Sequence, residues 1–267
     1  MTVYNILPNQ RIISIDVLRG LTILLMVFVN EVAGVKNIPQ WIQHMTRGVD
    51  GMTIVDWVFP GFLFIVGMSI PMALNHRIQK GDSFWRLQKH ILVRTIGLLA
   101  LGVLMVNAEG GYNEETMGMP ISLWSLLIYP FAILVWNVYT FENKVWTYLF
   151  RGIGIIGLLS LAIVYRGGED GSEYLQPQWW GILGLIGWSY FYSCILYQVL
   201  KGNKYYLAVA VLVCTLIYIA GHTTISEDFA ILGWTRSQGG MATHTSITLC
   251  GLILTLIFFD RKPSEVC

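Results

Sequence analysis

The chain has 267 residues, 55% hydrophobic and 12% charged, with a formal net charge of +1. A water-soluble domain carries about 25% charged residues, so this chain lacks the charge to cover a surface of its size in water, and it belongs in a lipid bilayer. The near-neutral balance gives no field for holding a nucleic acid. Crossing the hydrocarbon core takes about 20 mainly apolar residues in a helix. Such runs fall at roughly 14–33, 55–74, 89–107, 121–139, 146–165, 179–200, 205–222 and 243–259. They are continuous rather than alternating, which excludes a β-barrel. The expectation is an all-α membrane protein, a polytopic bundle of about eight transmembrane helices. The polar breaks are short, so residues 1–267 read as a single integral domain.

Basic residues near span ends mark the cytoplasmic side. If the N-terminus is inside, thirteen of the 17 lysines and arginines fall on inner segments, while the outer loops collect acid. Both termini are therefore expected in the cytoplasm, in a multi-pass protein of the inner membrane. Cys194, Cys214 and Cys250 lie in apolar runs and read as small hydrophobes. Gly181, Gly184 and Gly187, like Gly152, Gly154 and Gly157, read as positions of close helix approach. Trp124, Trp146, Trp179 and Trp180 stand near span ends, where interfacial aromatics belong.

In chain order, the first residues able to carry chemistry are Asp16 and Arg19 in "SIDVLRGLTILL". Ionisable groups inside a span mark pathways, and Arg19 near the inner face could meet the phosphates of a cytosolic cofactor. The plainer alternative is a dipole-complementing Asp16 and a snorkelling Arg19. Asn30 and Glu31 end the same span: Asn30 is either interhelical glue or a group that steadies a carbonyl, and Glu31 stands where an acceptor would be bound. His44 follows in the outer loop, as a solvated histidine or as a general base. Thr53 and Asp56 have the spacing of a capping box before the second span, and Asp56 could also orient His44. Pro60 and Pro71 would kink or end that helix. His76, His90 and His222 take no role. His244 begins the last span on the outer side, where it could share a cavity with His44 and touch substrate. No H-E-x-x-H, Walker loop, G-x-S-x-G or paired-cysteine motif is present, so no metal is expected.

"RIISIDVLRGLTILLMVFVN", then "DWVFPGFLFIVGMSIPMAL", resembles the heparan-alpha-glucosaminide N-acetyltransferase family of transmembrane acyltransferases, most closely from Arg11 to Leu74. The resemblance implies that an acetyl group from cytosolic acetyl-CoA, or another acyl-CoA, reaches an amino sugar across the bilayer. It further implies that His44 is the catalytic histidine of the first outer loop and that Asn30 assists it. The first span is also similar to the acyltransferase type-three superfamily through Asp16, Arg19 and Gly20, but Asn30 stands where that superfamily has a histidine. Members usually carry about eleven spans, so this chain is expected to be incomplete at its C-terminus. The reading is acyl transfer from acyl-CoA to a sugar or glycan amine or hydroxyl, with the lipid bilayer and the acceptor as partners, no nucleic acid, and a homo-oligomer left open. The alternatives are a non-enzymatic transporter or channel, which would use the same polar groups as a pathway, and an inactive remnant.

Overall fold

A computed structural model describes residues 12–32, 35–46, 49, 51–223 and 233–260. Nine α-helices are described: α1 (Ile13–Val32), α2 (Ile54–Gln79), α3 (Phe84–Ala108), α4 (Glu114–Met117), α5 (Ile121–Trp136), α6 (Lys144–Val164), α7 (Gly181–Val199), α8 (Lys204–His222) and α9 (Gly233–Phe259). A 3₁₀ turn, Gln40–Ile42, interrupts the loop between α1 and α2. Seven of the helices are long and apolar enough to cross a membrane. The chain is an all-α, multi-pass membrane protein, as the apolar runs predict.

The fourth run differs from expectation. α5 has only 16 residues, about 24 Å at 1.5 Å per residue, short of a hydrocarbon core of about 30 Å. It stops because Asn137 turns extended and its side chain accepts from the Val138 amide at 2.9 Å. Tyr139 and Phe141 then stack with Phe150 instead of prolonging the helix. Pro60 and Pro71 do not end α2, which runs through both. In a bilayer no water competes for the backbone, so the helix remains its cheapest partner.

The last helix starts about ten residues before its apolar run. "TRSQGGMATHTS" looks polar, yet its hydroxyls turn back onto the helix: Ser237 donates to the Trp234 carbonyl, Thr243 to Gly239 and Thr245 to Met241. Hydropathy counts these groups as exposed to the bilayer, whereas each has already found an acceptor. His244 consequently lies three turns inside α9 rather than at its start.

The fold divides into two compact units, with the division falling inside α3 and α7. The first holds residues up to Thr95 and from Trp188 onward. Its core joins Ile70 and Leu74 of α2, Leu87 and Ile91 of α3, Tyr197 of α7, Leu207 of α8, and Leu249 and Leu252 of α9. α2 and α9 meet backbone to backbone. A Cβ on Gly67 would overlap the Thr248 carbonyl, and one on Gly251 would overlap the Phe64 carbonyl. Thr255 donates across the seam to the Met68 carbonyl at 2.9 Å. α1 rests on α2 through Val29, which packs with Val55 and Val58, and exposes Leu21, Leu24, Val27 and Phe28 as a lipid-facing flank.

The second unit, Ile96–Gly187, has its own core of Leu104, Met117, Trp124, Ile128, Leu161 and Tyr165. Gly154 and Gly157 let α6 close on the Phe131 side of α5, the packing use expected of them. Trp124 is not an interfacial aromatic. It is fully buried, and its indole N–H donates to the Leu161 carbonyl at 2.9 Å. Trp146 and Trp179 remain half exposed.

Candidate active site

The site is built on the start of α2. Thr53 is the N-cap, and Asp56 reaches back in the capping-box manner. One carboxylate oxygen, Oδ2, accepts from the Thr53 amide at 2.9 Å, the Thr53 hydroxyl at 3.0 Å and the Met45 amide at 3.3 Å. The other, Oδ1, lies 2.8 Å from Nδ1 of His44. A single carboxylate therefore closes the helix start and holds the loop that carries the histidine. Its position at the helix N-terminus also suits its charge, since the unpaired amides there favour an anion.

Chemistry fixes the tautomer. An ionised carboxylate only accepts, so the imidazole proton facing Asp56 sits on Nδ1 and donates to it. In the neutral ring Nε2 then carries the lone pair. The His44 side chain is 57% exposed against 22% for Asp56, so the imidazole is open to solvent while the carboxylate is sheltered. This is the arrangement of a general base held by a carboxylate.

The other sequence candidates are spread over both ends of the first unit. Asn30 and Glu31 lie exposed in the last turn of α1, beside Val29, whose contacts with Val55 and Val58 bring that turn alongside the start of α2. Among the described residues no hydrogen bond joins either of them to the His44–Asp56 pair. His244 packs edge-on against Phe59 with ring centroids 5.3 Å apart. Phe59 is three residues, about 4.5 Å of helix rise, from Asp56, which places His244 at the same end of the unit. Its Nδ1 is buried with no hydrogen-bond partner among the described residues. Asp16 and Arg19 pair at 3.7 Å near the opposite end of α1. Arg19 lies eleven residues, about 16 Å of rise, from Asn30.

Sequence reasoning sets the basic inner segment Arg77–Arg94 beside Arg19 for a donor's nucleotide, but it did not single out Ser69 and Tyr190, which share a cleft with Arg19 and Arg94. Arg94 of α3, Ser69 of α2 and Tyr190 of α7 line it. A signal was available, because Ser189, Tyr190, Ser193 and Tyr197 make a polar stripe at helical spacing in an otherwise apolar span. Among the described residues no three metal-ligating side chains cluster.

These features define a polytopic helical membrane protein with an imidazole–carboxylate pair where its second helix begins. A family model described as "Domain of unknown function (DUF5009)" matches residues 11–242, and the chain belongs to that family. The chain is also similar to heparan-alpha-glucosaminide N-acetyltransferase of Homo sapiens, 38% identical over 129 residues. The enzyme of the same name from Mus musculus matches at 38% over 130 residues. Each match covers 47% of this chain and 19% of the relative, so the chain spans only a minor part of the length of these curated relatives. No solved structure gives a significant match.

Proposed function

We propose that this protein is a transmembrane acyltransferase that moves an acetyl group, or another short acyl group, from acyl-CoA to an amine or hydroxyl of a sugar or glycan. The observation that carries the reading is the 2.8 Å contact between His44 and Asp56, in a chain 38% identical over part of its length to enzymes named as N-acetyltransferases. Acyl-CoA supplies an activated thioester. His44 Nε2 takes the proton of the acceptor amine or hydroxyl as the new acyl bond forms, and returns it to the departing thiolate. Asp56 holds the ring and stabilises the imidazolium between the two transfers. Asn30 steadies the thioester carbonyl, while Glu31 and His244 bind the acceptor. Asp16 positions Arg19, and Arg19 holds the anionic part of the donor at the other end of α1. The rise of about 16 Å from Arg19 to Asn30 is a distance an extended pantetheine arm covers. The charge pattern places the His44 end outside and both termini in the cytoplasm, with the whole in the inner membrane as one integral domain.

Proteoliposomes loaded on one side with acetyl-CoA and on the other with an amino sugar test this reading. Labelled acetyl groups should appear on the sugar. Passage of unmodified sugar across the membrane without acetyl-CoA would instead identify a transporter.

A further inference from the structure

Four side chains from four helices line one narrow cleft of about 30 Å³ in the first unit: Arg19 of α1, Ser69 of α2, Arg94 of α3 and Tyr190 of α7, over an apolar floor that includes Val66 and Ile70. The helix directions agree on where it lies. Arg19 is six residues from the start of α1, Ser69 ten from the end of α2, Arg94 ten from the start of α3 and Tyr190 nine from the end of α7. At 1.5 Å per residue all four sit about 9–15 Å in from the same end of the bundle, opposite the His44 end.

Two guanidinium groups at this depth need compensation, because charge within a span is costly unless paired. Arg19 has Asp16 at a long 3.7 Å. Arg94 has the face of the Tyr190 ring, 4.9 Å from its centroid, and among the described residues no carboxylate pairs with it. A ring face offsets only part of an arginine's lost hydration. The Ser69 hydroxyl already donates to the Ile65 carbonyl at 3.0 Å, so the charged donors lining the cleft are the two guanidinium groups. The unmet demand is therefore for an anion. The cleft is small and open on one side, so an anion would meet the guanidinium groups at its mouth rather than enclosed between the helices.

We infer that Arg19 and Arg94 form a clamp that takes one phosphate group, with Tyr190 fixing the Arg94 fork and the remainder of the ligand lying outside the cleft. Arginine forks match phosphate oxygens in paired hydrogen bonds, and lysine does not. Two ligands carry this chemistry to a helix surface near one membrane face: the phosphates of a coenzyme A donor, and the headgroup phosphate of an anionic lipid. For the first of these the inference rests on the acyl-CoA reading above.

The test uses the full chain purified in detergent and its Arg94→Gln, Arg94→Lys and Arg19→Gln variants. Coenzyme A and phosphate-free pantetheine are titrated by thermal shift, and retained phosphatidylglycerol is counted against phosphatidylcholine by native mass spectrometry. A coenzyme A phosphate in the clamp predicts binding of coenzyme A over pantetheine. Half-saturation should then rise tenfold or more in all three arginine variants. The lysine variant separates loss of the fork from loss of charge or fold. If the wild type ignores coenzyme A but holds phosphatidylglycerol in an arginine-dependent way, the clamp stands with a lipid phosphate and the acyl-CoA reading falls. If coenzyme A binds wild type and arginine variants equally and lipid retention is unchanged, the clamp is overturned and the acyl-CoA reading survives. A wild type that takes neither ligand also overturns the clamp.

Discussion

Two polar regions at helix ends invite comparison: the loop that leads into α2, and the pair of loops in the second unit that flank α4 and follow α6. The second is by far the better bonded. Asn107, 1% exposed, gives its amide protons to the Val103 and Gln176 carbonyls at 2.7 Å and accepts from the Gln176 amide at 3.2 Å. Tyr165 adds a hydroxyl to the Asn107 carbonyl, and Asn113 reaches the Glu169 carbonyl at 3.0 Å. Backbone bridges join Tyr112 and Glu173 to Gly167. Most of these polar groups have spent their capacity on the fold. In the α2 loop one carboxylate carries the fastening, and the imidazole it holds makes no further hydrogen bond among the described residues. A polar group is available for chemistry when its neighbours leave something over.

The largest effect should come from removing that imidazole. His44→Ala is expected to lower turnover by about 10²–10⁴-fold while leaving coenzyme A binding and the melting temperature near wild type, because the ring is largely exposed. Steady-state kinetics beside a thermal melt checks this, and lost binding with unchanged turnover per bound enzyme would refute the assignment. Asn107→Ala should do the reverse. Each buried group left unpaired costs about 1–3 kcal/mol, read as a lower denaturation midpoint, with turnover unchanged in the protein that remains folded. If Asn107→Ala abolished turnover in folded protein, the contrast between the two regions would collapse.

Thr53→Ala sharpens the comparison from within the site. It removes one of the donors to Asp56 and should cost about 1 kcal/mol as a lost N-cap, with a small change in rate if the remaining bonds keep Asp56 on His44. The smallest effect concerns pH. Burial raises the Asp82 carboxyl, but hydrogen bonds and charge from Arg77 and Arg86 outweigh it and hold it below the ordinary carboxylate range. Its contribution is therefore complete above the ordinary carboxylate pKa and is lost as pH falls through the lowered value. The melting temperatures of wild type and Asp82→Asn should differ at neutral pH and converge in acid; a difference that persisted at the lowest pH would show that the contacts of Asp82 with Arg77 and Arg86 do not stabilise through charge.

Much of this was legible before the structure, for identifiable reasons. Long apolar runs can only be helices in a bilayer, so the spans followed from composition, and the Thr-x-x-Asp spacing placed the cap where Asp56 now holds His44. Less legible was whatever depends on partners distant in sequence. Hydropathy could not see that the hydroxyls of "TRSQGGMATHTS" satisfy one another's turns, so the start of α9 was misplaced and His244 with it. Nor could it see that Trp124 finds a carbonyl 37 residues away, or that Arg94 and Arg19, 75 positions apart, line one cleft.

The α2–α9 seam has a bearing on leakage. If the protein hands a group through a bilayer as proposed, it must not also let protons or solutes through, and side-chain packing alone leaves gaps that open as rotamers change. Where Gly67 and Gly251 bring carbonyls against bare backbone, there are no rotamers to change, and the joint behaves as a gasket. Anything long and flexible that travels along α2 is thereby barred from its α9 flank. Arg19 and Asn30, toward the two ends of α1, would mark the remaining route for a donor arm on the proposed reading.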